Sequence, residues 1–289
     1  MSLSIKNRPR LVWGALAAAV AFAASAALVA RPASSARHRV AALPRTSDYH
    51  SLLVAPNDPR RLLLGTHQGL FRSSDGGRTW AKAGLSGNDA MNLARPSGEM
   101  LWAAGHNVLA KSTDGGATWA DVRPAGLPSL DIHGFAVDHR HPGRLYAAVA
   151  GEGLYRSRNN GRSFSLLSAE VGGAVFGLGI LPDGSILAGD LKQGLLVSSN
   201  EGRTWRLALH EQVLGLAINP RDSKRLLASG RGIFLSEDGG RSWRRVFGIA
   251  AGLGPVAWAA SRPMLAYAVG FDRMLYRSNN GGRSWRAAN

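Results

Sequence analysis

The chain has no cysteine. That excludes disulfides, thiol catalysis and a lipid-modified cysteine anchor, since each needs a thiol. Acids are scarce: 19 Asp and Glu face 35 Lys and Arg, for a formal net charge of +16. Residues 1–36 hold four cations (Lys6, Arg8, Arg10, Arg31) and no acid, so the remainder keeps 16 − 4 = +12. Such a surface favours acidic partners: anionic lipid, acidic polysaccharide or an acidic protein. Only five tyrosines occur, and six of the acids are glutamates. After residue 40 no helical periodicity is visible. An exported domain without disulfides must rely on its core, and about 250 residues suffice for that.

The charge-free stretch comes first. Lys6, Arg8 and Arg10 precede residues 11–30, which carry no charge. This reads as an export signal or membrane anchor, long enough to span a bilayer as a helix. Positive flanks stay cytoplasmic, so the remainder is expected outside, tethered or secreted. Residues 1–36 are therefore leader and linker, and 37–289 the folded domain.

Glycine and turn residues are abundant, and they repeat. "SSDGGRTW" (73–80) returns as "STDGGATW", "SRNNGRSF", "SSNEGRTW", "SEDGGRSW" and "SNNGGRSW". The acid or amide stands at Asp75, Asp114, Asn159, Asn200, Asp238 and Asn280. The closing aromatic stands at Trp80, Trp119, Phe164, Trp205, Trp243 and Trp285, at intervals of 39, 45, 41, 38 and 42 residues. Asp or Asn caps the turn, and glycine supplies positive φ. Two short apolar runs precede each box, as in "RLLLGTH" and "GLFRS", and a further run precedes those. The box aromatic opens a fourth. Four short strands per repeat of about 40 residues read as one propeller blade. The expected fold is an all-β, six-bladed propeller of four-stranded antiparallel blades behind an N-terminal hydrophobic helix. "RVAAL" (39–43) reads as a spare outer strand that helps close the ring.

These boxes resemble the Asp-box, or bacterial neuraminidase repeat. That family spans sialidases and related glycoside hydrolases, sortilin-type receptors, photosystem II assembly factors and exported bacterial proteins. The resemblance implies the propeller and not a reaction. It also implies that the box joins the third and fourth strands on the face opposite the usual active site. A sialidase site would need three arginines, a Tyr–Glu nucleophile pair and an Asp acid/base. The "RIP" signature is absent, and such a site cannot be assembled from these residues.

Three boxes carry Asn, which keeps the turn acceptor and loses the charge, so the box reads as scaffold. Five boxes place an arginine before the Ser or Thr: Arg78, Arg162, Arg203, Arg241 and Arg283, with Ala117 in the second. Repeated by symmetry, they form a basic ring suited to an anionic membrane surface.

Ligand chemistry is expected on the other face. Its loops offer the carboxylates Asp131, Glu152, Asp190 and Asp272 as weak catalytic candidates. His67, His106, His133, Lys192, Arg231 and Arg273 are ligand-binding candidates, and His50 and Asp89 lie in the same loops. No recognised metal-ligand spacing occurs, so neither metal nor cofactor is expected. The leading reading is a monomeric binding scaffold for a glycan or protein, with no nucleic-acid role. A glycoside hydrolase and an assembly factor for a membrane complex are the alternatives.

Overall fold

A computed structural model describes residues 42–171 and 174–288. The leader and residues 39–41 lie outside the described residues. Residues His38–Asn289 form one compact unit. Among the described residues there are twenty-four strands and no helix. The strands form six four-stranded sheets, each in simple sequential order. Blade 1 is built from Ser51–Val54, Leu62–Thr66, Gly69–Ser73 and Ala81–Gly84. The other blades follow at 92–121, 132–168, 175–209, 215–247 and 253–287. Each first strand packs against the first strands of both neighbours, and Leu253–Trp258 meets Ser51–Val54 to close the ring.

Among the described residues each blade's four strands come from its own repeat. Ala42 forms an antiparallel bridge with Met274, and Leu43 N donates to Arg273 O at 3.1 Å. The last strand of blade 6 is short, Arg286–Ala287. Ala42 and Leu43 supply pairing beyond its end, and Leu43 is buried.

The core lies between blades. One buried cluster joins Leu62, Leu64 and Phe71 of blade 1 to Tyr267 and Leu275 of blade 6. Others span blades 2 and 3, 3 and 4, 4 and 5, and 5 and 6. Among the described residues no such cluster spans blades 1 and 2. A cavity of about 520 Å³ lies at that seam on the box side, lined by Trp80, Arg95 and Asp114 among others. Box aromatics pack against the preceding blade: Trp80 joins the blade 1 and 6 cluster, and Trp205 Nε1 donates to Ser168 Oγ of blade 3 at 3.2 Å.

The boxes themselves are hydrogen-bond knots. Asp75 Oδ1 accepts from Arg78 N and Thr79 N, each at 2.9 Å, and from Ser73 Oγ at 2.8 Å. Thr79 Oγ1 donates to Asp75 Oδ2 at 2.6 Å. Asn boxes reverse the last bond: Asn159 Nδ2 donates to Ser163 Oγ at 2.9 Å, and Asn200 and Asn280 do the same. Gly76 and Gly77 hold φ of 79° and 88°; Asn160 and Glu201 take the first of these positions at 57° and 59°, whereas the second is glycine in all six boxes. Gly76 N donates to Arg60 O at 2.9 Å, which seats the box on its blade's first turn. Boxes and first-to-second-strand turns therefore share one face of the ring.

Candidate functional site

The opposite face is built by second-to-third-strand hairpins and by the residues leading into each first strand. In blades 1 and 2 the hairpins have two residues, His67-Gln68 and His106-Asn107. Strand register sets the leading residues. Ser51 pairs with Gly65, Asn92 with Ala104 and Gly134 with Ala148. Counting back three residues from Ser51, Asn92 and Gly134 gives Asp48, Asp89 and Asp131. His50 and His133 share the position one residue before Ser51 and Gly134. Three successive blades thus present Asp at one height, two add His beside it, and two hairpins add His above.

The backbone is held closely here. Ala90 N donates to Thr66 O, and Asn107 N to Leu130 O, each at 3.0 Å. A Cβ on Gly105 would lie 1.9 Å from Asp89 O, so only glycine admits this approach. Asn92 Nδ2 donates to His133 O at 2.9 Å and steadies the third blade's leading segment.

The side chains converge as a row. His67 Nδ1 is 3.3 Å from Asp48 Oδ2 and 2.7 Å from His50 Nε2. His67 Nε2 is 3.2 Å from Asp89 Oδ2, and His106 Nδ1 is 2.6 Å from the same oxygen. His106 Nε2 is 3.4 Å from Asp131 Oδ1 and 3.0 Å from His133 Nε2. Asp89 is the deepest member, its side chain 9% exposed. Both of its oxygens are buried without an aligned hydrogen bond, despite the short distances to the imidazoles.

Electrostatics follow burial. Burial, with the neighbouring histidines adding to it, pushes His50 down to about 3. Burial also lowers His133, against the opposing pull of Asp131. Burial raises the Asp89 carboxyl, opposed by His67 and His106. His50 and His133 are therefore neutral at pH 7, with nitrogen lone pairs available.

The remaining predicted residues stand apart. Glu152 is exposed on a three-residue hairpin and, among the described residues, joins no acid–histidine cluster. Asp190 Oδ1 accepts from Lys192 N at 2.7 Å and Gln193 N at 2.9 Å. Asp272 Oδ1 accepts from Met274 N at 3.1 Å, and Tyr276 OH donates to Oδ2 at 2.6 Å. Burial and that carboxylate push Tyr276 up to about 12. Lys192 and Arg231 share a hollow of about 220 Å³ with His210 and Glu211. Arg273 serves the turn, at φ 66°. Among the described residues, Asp131 alone of the four candidate carboxylates falls in a cluster of acids and histidines.

On the box face, all five repeated arginines are exposed. Arg283 pairs with Glu237 at 2.7 Å, and the other four make no ion pair among the described residues. A cavity of about 400 Å³ opens along the ring axis. Half-buried Leu53, Leu93, Leu178, Leu216 and Ile218 line it, and Pro56, Pro96 and Pro220 of the first turns stand at its box-side end.

Residues 33–289 match the family described as photosynthesis system II assembly factor YCF48. The chain belongs to that family. The wider Asp-box resemblance thus narrows to an assembly-factor branch, and a sialidase relationship is not supported. No curated protein matches the chain. A solved structure of YCF48 bound to a D1 peptide is similar, with 19% identity, TM-score 0.56, and 85% of this chain and 83% of that one covered. YCF48 from Cyanidioschyzon merolae is similar at 18% identity and TM-score 0.53, covering 86% of each chain. A GH74 xyloglucanase from Xanthomonas campestris reaches TM-score 0.61 at 17% identity, covering 87% of this chain and 46% of the enzyme. At these identities the structures share the fold alone.

Proposed function

We propose that this chain is a non-enzymatic binding propeller that acts as an assembly factor, holding an anionic segment of a membrane-protein client on its box face. The observation that carries the reading is the pairing of an apolar axial opening with exposed, uncompensated arginines on one face. Apolar side chains of a client enter the opening, while its acids meet Arg78, Arg162, Arg203 and Arg241. Family membership supports the assembly role, and a relative bound to a D1 peptide supports a polypeptide client. Its station outside the cytoplasmic membrane belongs to the same proposal and rests on the sequence of the leader. The loop face supports the non-enzymatic reading. Glycoside hydrolysis needs two carboxylates placed across the scissile bond. Asp190 and Asp272 are instead held in turns, and Glu152 is isolated.

The test is fluorescence anisotropy of the full chain with an acidic peptide carrying apolar residues, beside its Lys-substituted counterpart. The acidic peptide should bind more tightly, and added salt should weaken it. Changing Arg78, Arg162, Arg203, Arg241 and Arg283 together to Gln should remove most of that affinity. Equal binding of both peptides, or an unaffected fivefold variant, overturns the reading. Binding to anionic vesicles with none to the peptide would point to the membrane surface instead.

A further inference from the structure

The Asp48–His133 row lies away from the box face, and the client reading leaves it without a role. We propose that it binds a divalent transition-metal ion of the zinc–copper class. The ligands are His67 Nε2, His106 Nδ1 and a carboxylate oxygen of Asp89.

Donor chemistry selects the class. Imidazole nitrogen suits zinc, copper and nickel, whereas calcium and magnesium prefer all-oxygen sites. Distance fits a single ion. The three donor atoms lie within 4.8 Å of one another. Bonds of about 2.0–2.2 Å from one zinc ion span such a set after small side-chain adjustments.

Asp89 supplies a second, independent argument. Its carboxylate is nine-tenths buried, and neither oxygen has an aligned hydrogen bond. A buried carboxylate left so is costly unless something neutralises it. The nearest groups are two imidazole nitrogens, at 3.2 and 2.6 Å, and a cation between them and the carboxylate would satisfy all three.

The outer nitrogens complete the pattern. With Nε2 of His67 on the ion, its Nδ1–H meets His50 Nε2 at 2.7 Å, with Asp48 Oδ2 beside it at 3.3 Å. With Nδ1 of His106 on the ion, its Nε2–H meets His133 Nε2 at 3.0 Å, with Asp131 Oδ1 beside it at 3.4 Å. An acceptor behind each metal-bound histidine fixes its tautomer and orientation, and a nearby carboxylate strengthens it as a ligand. His50 and His133, with Asp48 and Asp131, are thus positioning residues.

Location gives the ion a structural task. The three ligands straddle blades 1 and 2, and among the described residues no buried hydrophobic cluster spans that seam. A metal there staples the two blades on the loop face. His67 and His106 keep 35% and 43% of their side chains exposed, so the ion can enter from solvent. Three protein ligands leave a coordination position for water or for a donor atom of a docked molecule.

The full chain, freed of metal with a chelator, is titrated with Zn²⁺ by calorimetry and separately with Co²⁺ by visible absorption. The expected result is one saturable equivalent, ligand-field bands from bound Co²⁺, and a rise in melting temperature with Zn²⁺. His106→Ala or Asp89→Asn should weaken uptake by roughly 100-fold, and Asp48→Asn or Asp131→Asn by about tenfold. His141→Ala, beside Asp138 on the box face, should change nothing. Circular dichroism of each variant separates lost ligands from lost folding, and Asp89→Asn keeps the side-chain shape. The proposal fails if no saturable uptake occurs below roughly 0.1 mM Zn²⁺. It also fails if Asp89→Asn binds as the parent does. Two equivalents that depend on His50 and His133 but not on Asp89 overturn the ligand assignment.

Discussion

Asp75 and Asp89 are the same residue type on opposite faces of one blade-to-blade unit, and their surroundings differ in sign. Asp75 accepts from two backbone N–H groups and two hydroxyls. Those bonds outweigh partial burial and hold its carboxyl at about 2. Asp89 is more deeply buried, has no aligned hydrogen bond, and its carboxyl is pushed up by that burial. A carboxylate whose bonds are all closed within its own turn is scaffold. One that is buried among lone pairs and left open is poised for something the chain does not itself supply. The number of acids on a face says less than where their hydrogen bonds go.

The largest effect should come from the backbone that brings the loop face together. Gly105→Ala drives a Cβ into Asp89 O and should cost about 2–3 kcal/mol in denaturant unfolding. Gly239 of the fifth box has φ 79° and open space around a built Cβ. Gly239→Ala should therefore cost only about 1 kcal/mol, from backbone conformation alone. Equal costs would show that the loop face is not held by close backbone packing.

Next come the box carboxylates. Asp75→Ala leaves turn N–H groups without an acceptor and should cost about 1–2 kcal/mol. Asp75→Asn should stay within about 0.5 kcal/mol, because the Asn boxes retain the Oδ1 bond from the Ser or Thr N–H, turn the Arg162 and Arg203 N–H to the Asn backbone carbonyl, and reverse the hydroxyl bond. The retained bond is visible in Asn200, whose Oδ1 accepts from Thr204 N at 3.0 Å. Matching melting temperatures for the two variants would refute the capping account.

Acid should then separate Asp boxes from Asn boxes. Asp75 and Asp238 are both lowered to about 2. A lowered carboxyl stabilises the fold above its unfolded value of about 3.9, and that share is lost as pH falls through the folded value. The double variant Asp75→Asn, Asp238→Asn should therefore lose less stability than the parent between about pH 4 and pH 2. An unchanged acid slope would mean that these bonds persist in the unfolded chain.

Much of this architecture is legible without coordinates, because turn chemistry is local. Six boxes, a spacing near 40 residues and four apolar runs per repeat suffice for the ring and its blade count. His67, His106, His133 and Asp131 are legible as loop residues of consecutive blades. Their convergence is not, and Asp48 escapes notice altogether. It precedes the first complete blade, and it aligns with Asp89 and Asp131 only when the Ser51–Gly65, Asn92–Ala104 and Gly134–Ala148 pairings are known. Glu152 shows the opposite error. It shares a hairpin position with the histidines in sequence, but one extra residue in that hairpin leaves it exposed and outside the row. The axial opening is hidden for a different reason. Which apolar residues of a first strand face the axis depends on the pleat, and one residue of register exchanges the two sides.

The smallest effect, with the reversed sign, belongs to Asp89 itself. Asp89→Asn removes a charge that burial disfavours and that no aligned hydrogen bond repays. The new amide can offer an N–H to the His67 or His106 nitrogen and leaves the side-chain volume unchanged. In the chelator-treated chain the variant should be as stable as the parent, or more stable by up to about 1 kcal/mol. That outcome is opposite to the loss expected for Asp75→Ala on the other face. Adding Zn²⁺ should invert the order: the parent's melting temperature rises and the variant's does not, since only a species that binds the ion gains from mass action. A metal-free variant that melts well below the parent would mean that Asp89 is held by ordinary hydrogen bonds. The two faces would then use their carboxylates alike.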